Sequence, residues 1–456
     1  MTIFPEVRPA LPRPDQVPWE VRDLVPWLVS GHSAEELRGR AGKLLEHIVA
    51  RPELSAVDVG LSLAAASSMP EHRAVVIGAD TEELLAGLAA VAGRKPAANV
   101  VTGRAGVAAR AADRGRVAFV FPGQGSQWPG MGRELAGCSP VFARRLAECG
   151  RALEPYVNWS LDAVLAADKN EPWLERADVV QPALWAIMIA LAAVWESAGV
   201  IPDAVVGHSQ GEIAAACVGG ALSLEDGARV VALRSQALTR LAGNGGMLSI
   251  AMPAGDVREL LAQEEGRLSV AAVNGPAATV VSGDSGALAD LKAACPTGTR
   301  TRWVAVDYAS HSPQVERIQA RILEALEPIT PRPARVRLVS GMTGLALDGP
   351  EVDAGYWYAS LRQPVEFDRA IRGLAAAGHH VLVEVSPHPV LAGGIAEILW
   401  QAAAGVPTVA TGTLRRGHGE ARRFLTSAAR LHVHGAEVGW AAIFQAAGGR
   451  LIDLPT

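Results

Sequence analysis

A Gly-x-Ser-x-Gly motif centred on Ser209 constrains the fold of this chain more than any other feature. The apolar residues 204–206 predict a buried strand that leads into the motif, and residues 213–216 predict a helix that leaves it. At so sharp a strand-to-helix turn, only small residues fit beside the serine, and the helix directs its positive N-terminal end toward it. The pattern is typical of a nucleophile elbow and predicts an α/β fold. A tight structural turn is the alternative.

Composition excludes several classes of function. The chain of 456 residues has room for about three domains, and its 49% hydrophobic and 20% charged residues are ordinary for a globular protein. A net charge of -5 without a dense basic run gives no indication of nucleic-acid binding. The four cysteines lack the spacing of a metal site or a disulfide framework. The apolar run 183–195 is too short to span a bilayer, and we see no signal peptide, so we expect a cytoplasmic protein.

The first hundred residues predict a small α+β unit. Prolines recur through residues 1–26, which predicts an extended lead-in. Capping patterns at Ser33 and Asp80 predict two helices, and the apolar residues 74–77 predict a buried strand. No chemically suggestive group of residues lies in this unit. Residues 94–116, rich in Gly, Ala and Arg, predict a linker.

A second unit begins with the predicted strand 117–121, which ends in a glycine-rich loop containing Gln124. The loop lacks the third glycine of a dinucleotide fingerprint and the Gly-Lys of a P-loop, so phosphate binding is disfavoured. Open α/β sheets bind ligands at the carboxyl ends of their strands, where Gln124 could direct an amide N–H at a reacting centre. A helix is predicted from residue 183 to 197. Another follows Ser223 and contains Arg234, which either faces solvent, as is usual, or lines a pocket.

The pattern changes between residues 247 and 306, where strands and helices alternate in the order β-α-β-β-α-β. This order is typical of a ferredoxin-like fold, and we interpret the segment as a subdomain inserted into the larger α/β unit. Strands predicted at 336–340 and 381–385 return the chain to the large unit. A cleft between the two subdomains is a favoured place for a ligand.

A reactive serine needs a base. His208 is a poor candidate, because neighbouring side chains on a tight turn point apart. His311 follows the last strand of the insertion, at the expected mouth of the cleft, and His388 also follows a strand. Spacing alone does not decide between them. Asp307, four residues before His311, is interpreted as an ordinary strand-end aspartate rather than as a third member of a triad.

The tail from about residue 411 is predicted to provide a packing or docking surface. Four arginines lie near a predicted helix: Arg415, Arg416, Arg422 and Arg423. His432 and His434, spaced i and i+2, could bind a metal from one face of a strand. No acidic or cysteine residue accompanies them, so a metal site is disfavoured.

Several motifs, in their order along the chain, resemble the acyltransferase domains of modular polyketide synthases, which are relatives of malonyl-CoA:acyl-carrier-protein transacylases. They are FPGQGSQ at 121–127, QPA at 181–183, GHSQGE at 207–212, Arg234, and YASH at 308–311. The resemblance covers essentially the whole chain and implies four parts. These are a ketosynthase-to-acyltransferase linker domain at 1–112, a large α/β-hydrolase-like subdomain at 113–246 and 307–410, a ferredoxin-like small subdomain at 247–306, and a post-acyltransferase linker at 411–456.

The resemblance also implies catalytic roles. Ser209 is similar to the nucleophile that forms an acyl-enzyme ester, and His311 to its general base and acid. Gln124 and the backbone N–H of Gln210 resemble the oxyanion hole. In the family a backbone carbonyl orients the histidine, and we expect that carbonyl in the turn 386–389.

The implied substrate-binding residues are Arg234, Gln181, Tyr308 and Ser310. Arg234 matches the arginine that binds the free carboxylate of a malonyl-type acyl group, and a planar guanidinium can hold a carboxylate through two hydrogen bonds. The resemblance implies no metal and no tightly bound cofactor. Its substrates are methylmalonyl-CoA and a phosphopantetheinyl carrier protein, and its partners are an acyl carrier protein domain and an adjacent ketosynthase domain.

Tyr-Ala-Ser-His at 308–311 accompanies methylmalonyl selection in the family, whereas His-Ala-Phe-His accompanies malonyl. Gln210 and the sequence RADVVQ at 176–181 also resemble the methylmalonyl pattern. Ser310 in place of phenylalanine leaves room for an α-methyl group, although one methyl contributes only about 1–3 kcal/mol of discrimination. The alternatives are a malonyl- or ethylmalonyl-specific acyltransferase, a serine (thio)esterase, and an inactive docking module.

Overall fold

A computed structural model describes residues 24–65, 70–106, 116–167, 172–262 and 266–455. The predicted extended lead-in therefore lies outside the described residues up to residue 23. Within the described residues the chain forms three β-sheets with helices packed on them, which confirms the predicted α/β fold class.

The strands, in chain order, are β1 Val25–Gly31, β2 His72–Gly78, β3 Val100–Arg104, β4 Arg116–Phe121, β5 Ala204–Gly207, β6 Gly246–Ile250, β7 Leu268–Gly275, β8 Ala278–Gly283, β9 Thr301–Trp303, β10 Arg337–Val339, β11 Ala346–Leu347, β12 His379–Glu384 and β13 Val409–Gly412.

The helices are α1 Ala34–Val49, α2 Ala56–Ala64, α3 Thr81–Ala92, α4 Arg133–Cys138, α5 Pro140–Leu153, α6 Leu161–Ala166, α7 Ala177–Ser197, α8 Gly211–Gly219, α9 Leu224–Leu238, α10 Ala254–Leu261, α11 Ser285–Ala294, α12 Gln319–Leu326, α13 Ala354–Arg362, α14 Phe367–Ala376, α15 Ala392–Ala402, α16 Glu420–Val433 and α17 Trp440–Ala446. Short 3-10 segments occupy Pro172–Glu175, Thr239–Leu241 and Pro313–Ile318.

The N-terminal unit is an antiparallel sheet in the order β1-β2-β3, with α1, α2 and α3 packed against it. The caps of α1 and α3 are as predicted, because Ser33 and Asp80 each accept a hydrogen bond from the backbone N–H three residues later. The predicted lead-in 1–26 and the predicted linker 94–116 each contain a strand that was not expected. The strand β1 begins inside the expected lead-in, and β3 lies inside the expected linker 94–116. The residues of β3 are only partly buried or exposed, so its sequence carries little strand signal.

The large subdomain is built on a six-stranded sheet in the order β11-β10-β5-β4-β12-β13. All neighbouring strands run parallel except β11, which pairs antiparallel with β10. The two central strands, β4 and β5, are those that end in the glycine-rich loop and in the elbow. Their carboxyl ends therefore meet at one edge of the sheet, where open α/β folds place their ligands.

The small subdomain is an antiparallel four-stranded sheet in the order β7-β8-β6-β9, with α10 and α11 packed on it. This order, with the element sequence β-α-β-β-α-β, is the predicted ferredoxin-like arrangement. The sheet is joined to the large subdomain through Val365, whose backbone exchanges hydrogen bonds with Ala271 and Val273 of β7. The cleft between the subdomains lies beside this junction.

Helix α7 starts six residues before the predicted position, at Ala177, and carries Pro182 in its second turn. A proline disfavours a helix interior, but packing against α5, α8 and α9 outweighs the lost backbone hydrogen bond. Gln181 is consequently held on a rigid helix. Among the described residues α7 alone has the length and hydropathy of a membrane span; 89% of that apolar window is buried in the protein, as in a core helix.

The C-terminal segment returns over the N-terminal unit. Helix α16 packs against β2, β3 and α4, and α17 packs against α2. The guanidinium of Arg422 makes two hydrogen bonds to the Glu83 carboxylate, which accounts for one of the tail arginines. His432 and His434 lie at the end of α16, so the strand expected there is wrong. The boundaries of the four predicted parts remain a prediction.

Candidate functional site

The elbow brings Ser209 to the carboxyl end of β5 in a left-handed backbone conformation, with φ of 53°. Both motif glycines are required sterically. A Cβ at Gly207 would overlap the backbone of Glu212, and one at Gly211 would overlap the carbonyl oxygen of Phe121. The following helix, α8, begins at Gly211, so its N-terminal end lies directly behind the serine. The glycine at 207 is thus required by the local turn, and the glycine at 211 by the neighbouring strand β4.

The structure brings Ser209 and His311 into contact, with 2.9 Å between the serine Oγ and the histidine Nε2. The other ring nitrogen, Nδ1, donates to the backbone carbonyl of Gln363 at 2.7 Å. The backbone N–H of His311 donates to the carbonyl of Leu361 at 2.8 Å. The orienting carbonyl is thus at the end of α13, and the expectation that it lies at 386–389 is wrong.

The other candidates for a base are excluded by their positions. The Nδ1 of His388 accepts a hydrogen bond from the backbone of Arg416. His208 pairs through Nε2 with Oδ1 of Asn274 at 2.7 Å, on the small subdomain. Asp307 is exposed, consistent with an ordinary strand-end aspartate.

His311 is neutral at pH 7. The residue is 3% exposed, and burial, with smaller contributions from nearby His208 and Arg234, lowers the pKa of His311 to about 3 against the raising effect of its hydrogen bond to Gln363. A neutral imidazole with a protonated Nδ1 has a free lone pair at Nε2 that faces Ser209. The C-terminal end of α13, which carries partial negative charge, would stabilise the imidazolium formed when Nε2 takes a proton.

Arg234 lines the same cleft and is buried, 1% exposed, so its alternative position on a solvated face is wrong. Its Nη1 donates to Oγ of Ser360 at 3.1 Å, and its Nε has no hydrogen-bond partner among the residues that the structure describes. Burial lowers the pKa of Arg234 to about 10, so the guanidinium stays charged at pH 7. None of the ion pairs formed by the described residues includes this side chain.

A chain of hydrogen bonds joins three of the predicted residues. Nε2 of Gln181 donates to the hydroxyl of Tyr308 at 3.2 Å, which donates to Oε1 of Gln124 at 3.1 Å. The carboxamide of Gln124 is therefore held by its oxygen, which leaves its Nε2 as a donor. Burial raises the pKa of Tyr308 to about 12, so the hydroxyl stays protonated and able to donate.

The two remaining predicted residues also line the cleft. Gln210 is 1% exposed at the N-terminal end of α8, and neither amide atom of its side chain has a hydrogen-bond partner within the described part of the chain. Ser310 donates to Sδ of Met247 at 3.4 Å. The cleft has a volume of about 950 Å³ including its opening to solvent.

The sequence reasoning missed a buried carboxylate next to the elbow, Glu212. Its Oε1 accepts hydrogen bonds from the hydroxyl of Tyr356 and from the backbone N–H of Gly341. Burial raises the pKa of Glu212 to about 7, against the opposite effects of these hydrogen bonds and, to a smaller extent, of Arg234. Its place in the first turn of α8, directly after the motif, was the available signal. Its hydrogen-bond partners lie more than a hundred residues further along the chain, and their sequence does not indicate the contact.

No metal centre is built into the part of the chain that the structure describes. No group of three or more His, Cys, Asp or Glu residues there could hold an ion. Burial lowers the pKa of His432 to about 3, and its Nδ1 has no hydrogen-bond partner in the described ranges of the chain. The ring packs edge-on against Trp440. His432 is therefore a core residue of the C-terminal segment.

Residues 118–438 match the protein family described as "Acyl transferase domain". The chain is 54% identical over 437 residues to polyketide synthase GfsE of Streptomyces halstedii, covering 95% of this chain and 11% of that protein. It is 46% identical over 454 residues to erythronolide synthase EryA3 of Saccharopolyspora erythraea, covering 99% and 14%. The chain thus spans about a tenth of the length of such synthases.

The fold is also similar to solved structures of acyltransferase domains from polyketide synthases. The acyltransferase domain from module 8 of the salinomycin polyketide synthase superposes with a TM-score of 0.89 at 50% identity, covering 93% of this chain and 99% of that one. A loading acyltransferase from the avermectin modular polyketide synthase gives a TM-score of 0.66 at 50% identity, covering 69% and 99%.

Proposed function

Because this chain belongs to the acyl transferase domain family of modular polyketide synthases, we propose that it transfers a methylmalonyl extender unit. The acyl group moves from CoA to Ser209, and then to the phosphopantetheine thiol of a carrier protein. Membership of the family establishes that the chain is an acyltransferase. We propose in addition the identity of the extender unit, the ester on Ser209 and the carrier protein as acceptor.

The observation that carries the proposal is the buried guanidinium of Arg234 in the cleft that contains Ser209 and His311. Among the described residues the guanidinium makes no direct ion pair, and the charge of nearby Glu212 offsets only part of the effect of burial. A buried cation without a direct carboxylate partner is costly. A substrate that brings its own carboxylate would remove this cost and would be oriented by the planar guanidinium. Malonyl-type acyl groups carry such a carboxylate, whereas simple esters and acetyl groups do not.

In the proposed loading step, His311 removes the proton of the Ser209 hydroxyl as Oγ attacks the thioester carbonyl. The imidazolium then gives this proton to the departing CoA sulfur as the C–S bond breaks. In the second half, His311 takes the proton of the carrier thiol as its sulfur attacks the ester carbonyl. The imidazolium then gives this proton to Oγ of Ser209 as the ester C–O bond breaks. No net proton or electron is consumed.

Two donors are available for the oxyanion that forms in each half. The backbone N–H of Gln210 lies at the N-terminal end of α8, whose partial positive charge favours an anion. The carboxamide N–H of Gln124 is the second, since its oxygen is held by Tyr308. Removing one such donor typically costs about 100-fold in rate or more.

The small side chain of Ser310 supports the choice of methylmalonyl, because it leaves space beside the reacting centre for an α-methyl group. The carrier protein domain and an adjacent ketosynthase domain are the proposed partners, in the cytoplasm. No tightly bound cofactor is needed, because the proposed chemistry uses only side chains and thioester substrates.

The test of the proposal is the response of loading to Arg234→Ala. We expect loading from methylmalonyl-CoA to fall by roughly 100-fold or more, because the substrate carboxylate loses its buried partner. Loading from acetyl-CoA should stay equal or rise. Arg234→Lys is the matched control. It keeps the positive charge but loses the planar guanidinium, so its rate of loading from methylmalonyl-CoA should lie between those of the wild type and Arg234→Ala. Equal losses with both thioesters would refute the role of the arginine.

A further inference from the structure

Strand β6 presents two different faces. Leu248 and Ile250 are buried in the hydrophobic core of the small subdomain, whereas Met247 and Ser249 are partly exposed and line the catalytic cleft. Successive side chains of a strand point to opposite faces, so this division follows from the register of β6. One side of the small sheet is thus a wall of the cleft.

Met247 lies at the end of this wall that is nearest the reacting residues. Its backbone carbonyl accepts a hydrogen bond from the N–H of Val304 at 3.0 Å. Its partner in the β6–β8 register is Ser282, whose hydroxyl donates to the backbone carbonyl of His311 at 3.4 Å. Its Sδ accepts the Ser310 hydroxyl at 3.4 Å. Met247 therefore lies on the cleft wall beside Ser310, close to the catalytic histidine.

The Met247 side chain is the part of this wall that is most easily displaced. A methionine side chain is unbranched, has three rotatable bonds and fills irregular space readily. Its sulfur is only a weak hydrogen-bond acceptor, so the contact with Ser310 gives little resistance when a larger group enters. Met247 is half-buried, so a change of its rotamer does not require the core of the small subdomain to repack.

We infer that Met247 is a specificity-determining residue, whose thioether closes the space that receives the α-substituent of the acyl group. This inference rests on the proposed function. Ser310 provides the space for the substituent, and the Met247 side chain sets how far that space extends. The enzyme accordingly favours a small α-alkyl group but accepts a longer one by displacing the thioether.

Met247→Ala tests the inference in a competition among malonyl-, methylmalonyl-, ethylmalonyl- and propylmalonyl-CoA. The acyl-enzymes are quantified by intact-protein mass. The truncation should raise the ratio of ethylmalonyl and propylmalonyl to methylmalonyl by about 10-fold, the effect of about one methylene in a hydrophobic pocket. Met247→Phe should change the distribution in the opposite direction, toward malonyl. Opposite shifts cannot arise from loss of folding.

Met252→Ala is the matched control. Met252 belongs to the same subdomain but packs in its core, away from the cleft, so its truncation should leave the acyl distribution unchanged. Unchanged distributions in both Met247 variants would overturn the inference. A wild-type distribution led by malonyl would overturn the methylmalonyl proposal alone, since the shifts would still be measured. A wild-type protein that takes up no acyl group would overturn both.

Discussion

Ser209 and His311 share an uncommon property, since both adopt left-handed backbone conformations, with φ of 53° and 56°. Such a conformation costs a non-glycine residue on the order of 1–3 kcal/mol and persists only where its surroundings enforce it. At the serine, Gly207 and Gly211 allow the turn to pack closely against Glu212 and Phe121, and the hydrogen bond to Leu361 holds the histidine. The motif predicted the first residue, but the partner of the second lies fifty residues further along the chain.

The pH dependence of loading follows from the burial of His311. A base remains active while it is deprotonated, and the pKa of His311 is lowered from 6.5 to about 3. We therefore expect kcat/KM for loading to stay nearly constant from about pH 8 down to about pH 5. It should decline only as the pH approaches the lowered pKa. A decline with a midpoint near 6.5 would show that the histidine is not desolvated as described.

At the scale of elements, helix α13 organises the catalytic cleft. Tyr356 and Ser360, one turn apart on the same face, donate to Glu212 and accept from Arg234, respectively. The carbonyls of Leu361 and Gln363, at its C-terminal end, hold His311. The sequence of α13 gave no indication of this role. Its partners are distant in the chain and meet it only in the fold.

Ser360→Ala should weaken the binding of the substrate carboxylate by Arg234, although Ser360 itself does not contact the substrate. The buried guanidinium loses its hydrogen bond, and bonds to charged groups are worth about 1.5–3 kcal/mol, so KM for methylmalonyl-CoA should rise roughly tenfold or more. Acetyl-CoA loading should be unaffected. Ser360→Thr, which keeps the hydroxyl, is the control. A fall in kcat alone, equal for both thioesters, would indicate a general disturbance of α13.

At the scale of the whole molecule, the C-terminal segment is joined to the rest by reciprocal helix caps. The Glu134 carboxylate accepts from the backbone N–H groups of Glu420 and Ala421, at the start of α16. The Glu420 carboxylate accepts from Gly132 and Leu135, at the start of α4. Glu420 is buried, so its removal would leave two backbone donors without partners.

Glu420→Ala should lower the free energy of unfolding by more than about 1–3 kcal/mol, the cost of a single buried unpaired donor, because two such donors lose their acceptor. Arg422→Ala breaks the half-exposed pair with Glu83 and should cost no more than about 1 kcal/mol. Urea unfolding followed by tryptophan fluorescence measures both. Equal effects would contradict the difference in burial between the two contacts.

Sequence reasoning was sufficient where short-range patterns decide the structure, as in the caps at Ser33 and Asp80 and the elbow at Ser209. It failed where a contact between distant parts of the chain decides whether a strand or helix forms. The strand β3 forms because β2 is beside it, and α7 runs through Pro182 because three helices surround it. The backbone carbonyl of Gln363 carries no sequence signal, since every residue has one.

The central claim is that Ser209 takes up a carboxylated acyl group. Incubation with an equal mixture of malonyl-, methylmalonyl- and ethylmalonyl-CoA, followed by mass measurement of the peptide that contains residue 209, tests it directly. We predict that Ser209 is the single site of modification, that most of the adduct has the mass of a methylmalonyl group, and that Ser209→Ala carries no adduct. An unmodified Ser209 peptide with every extender, or an adduct on another residue, would contradict the account.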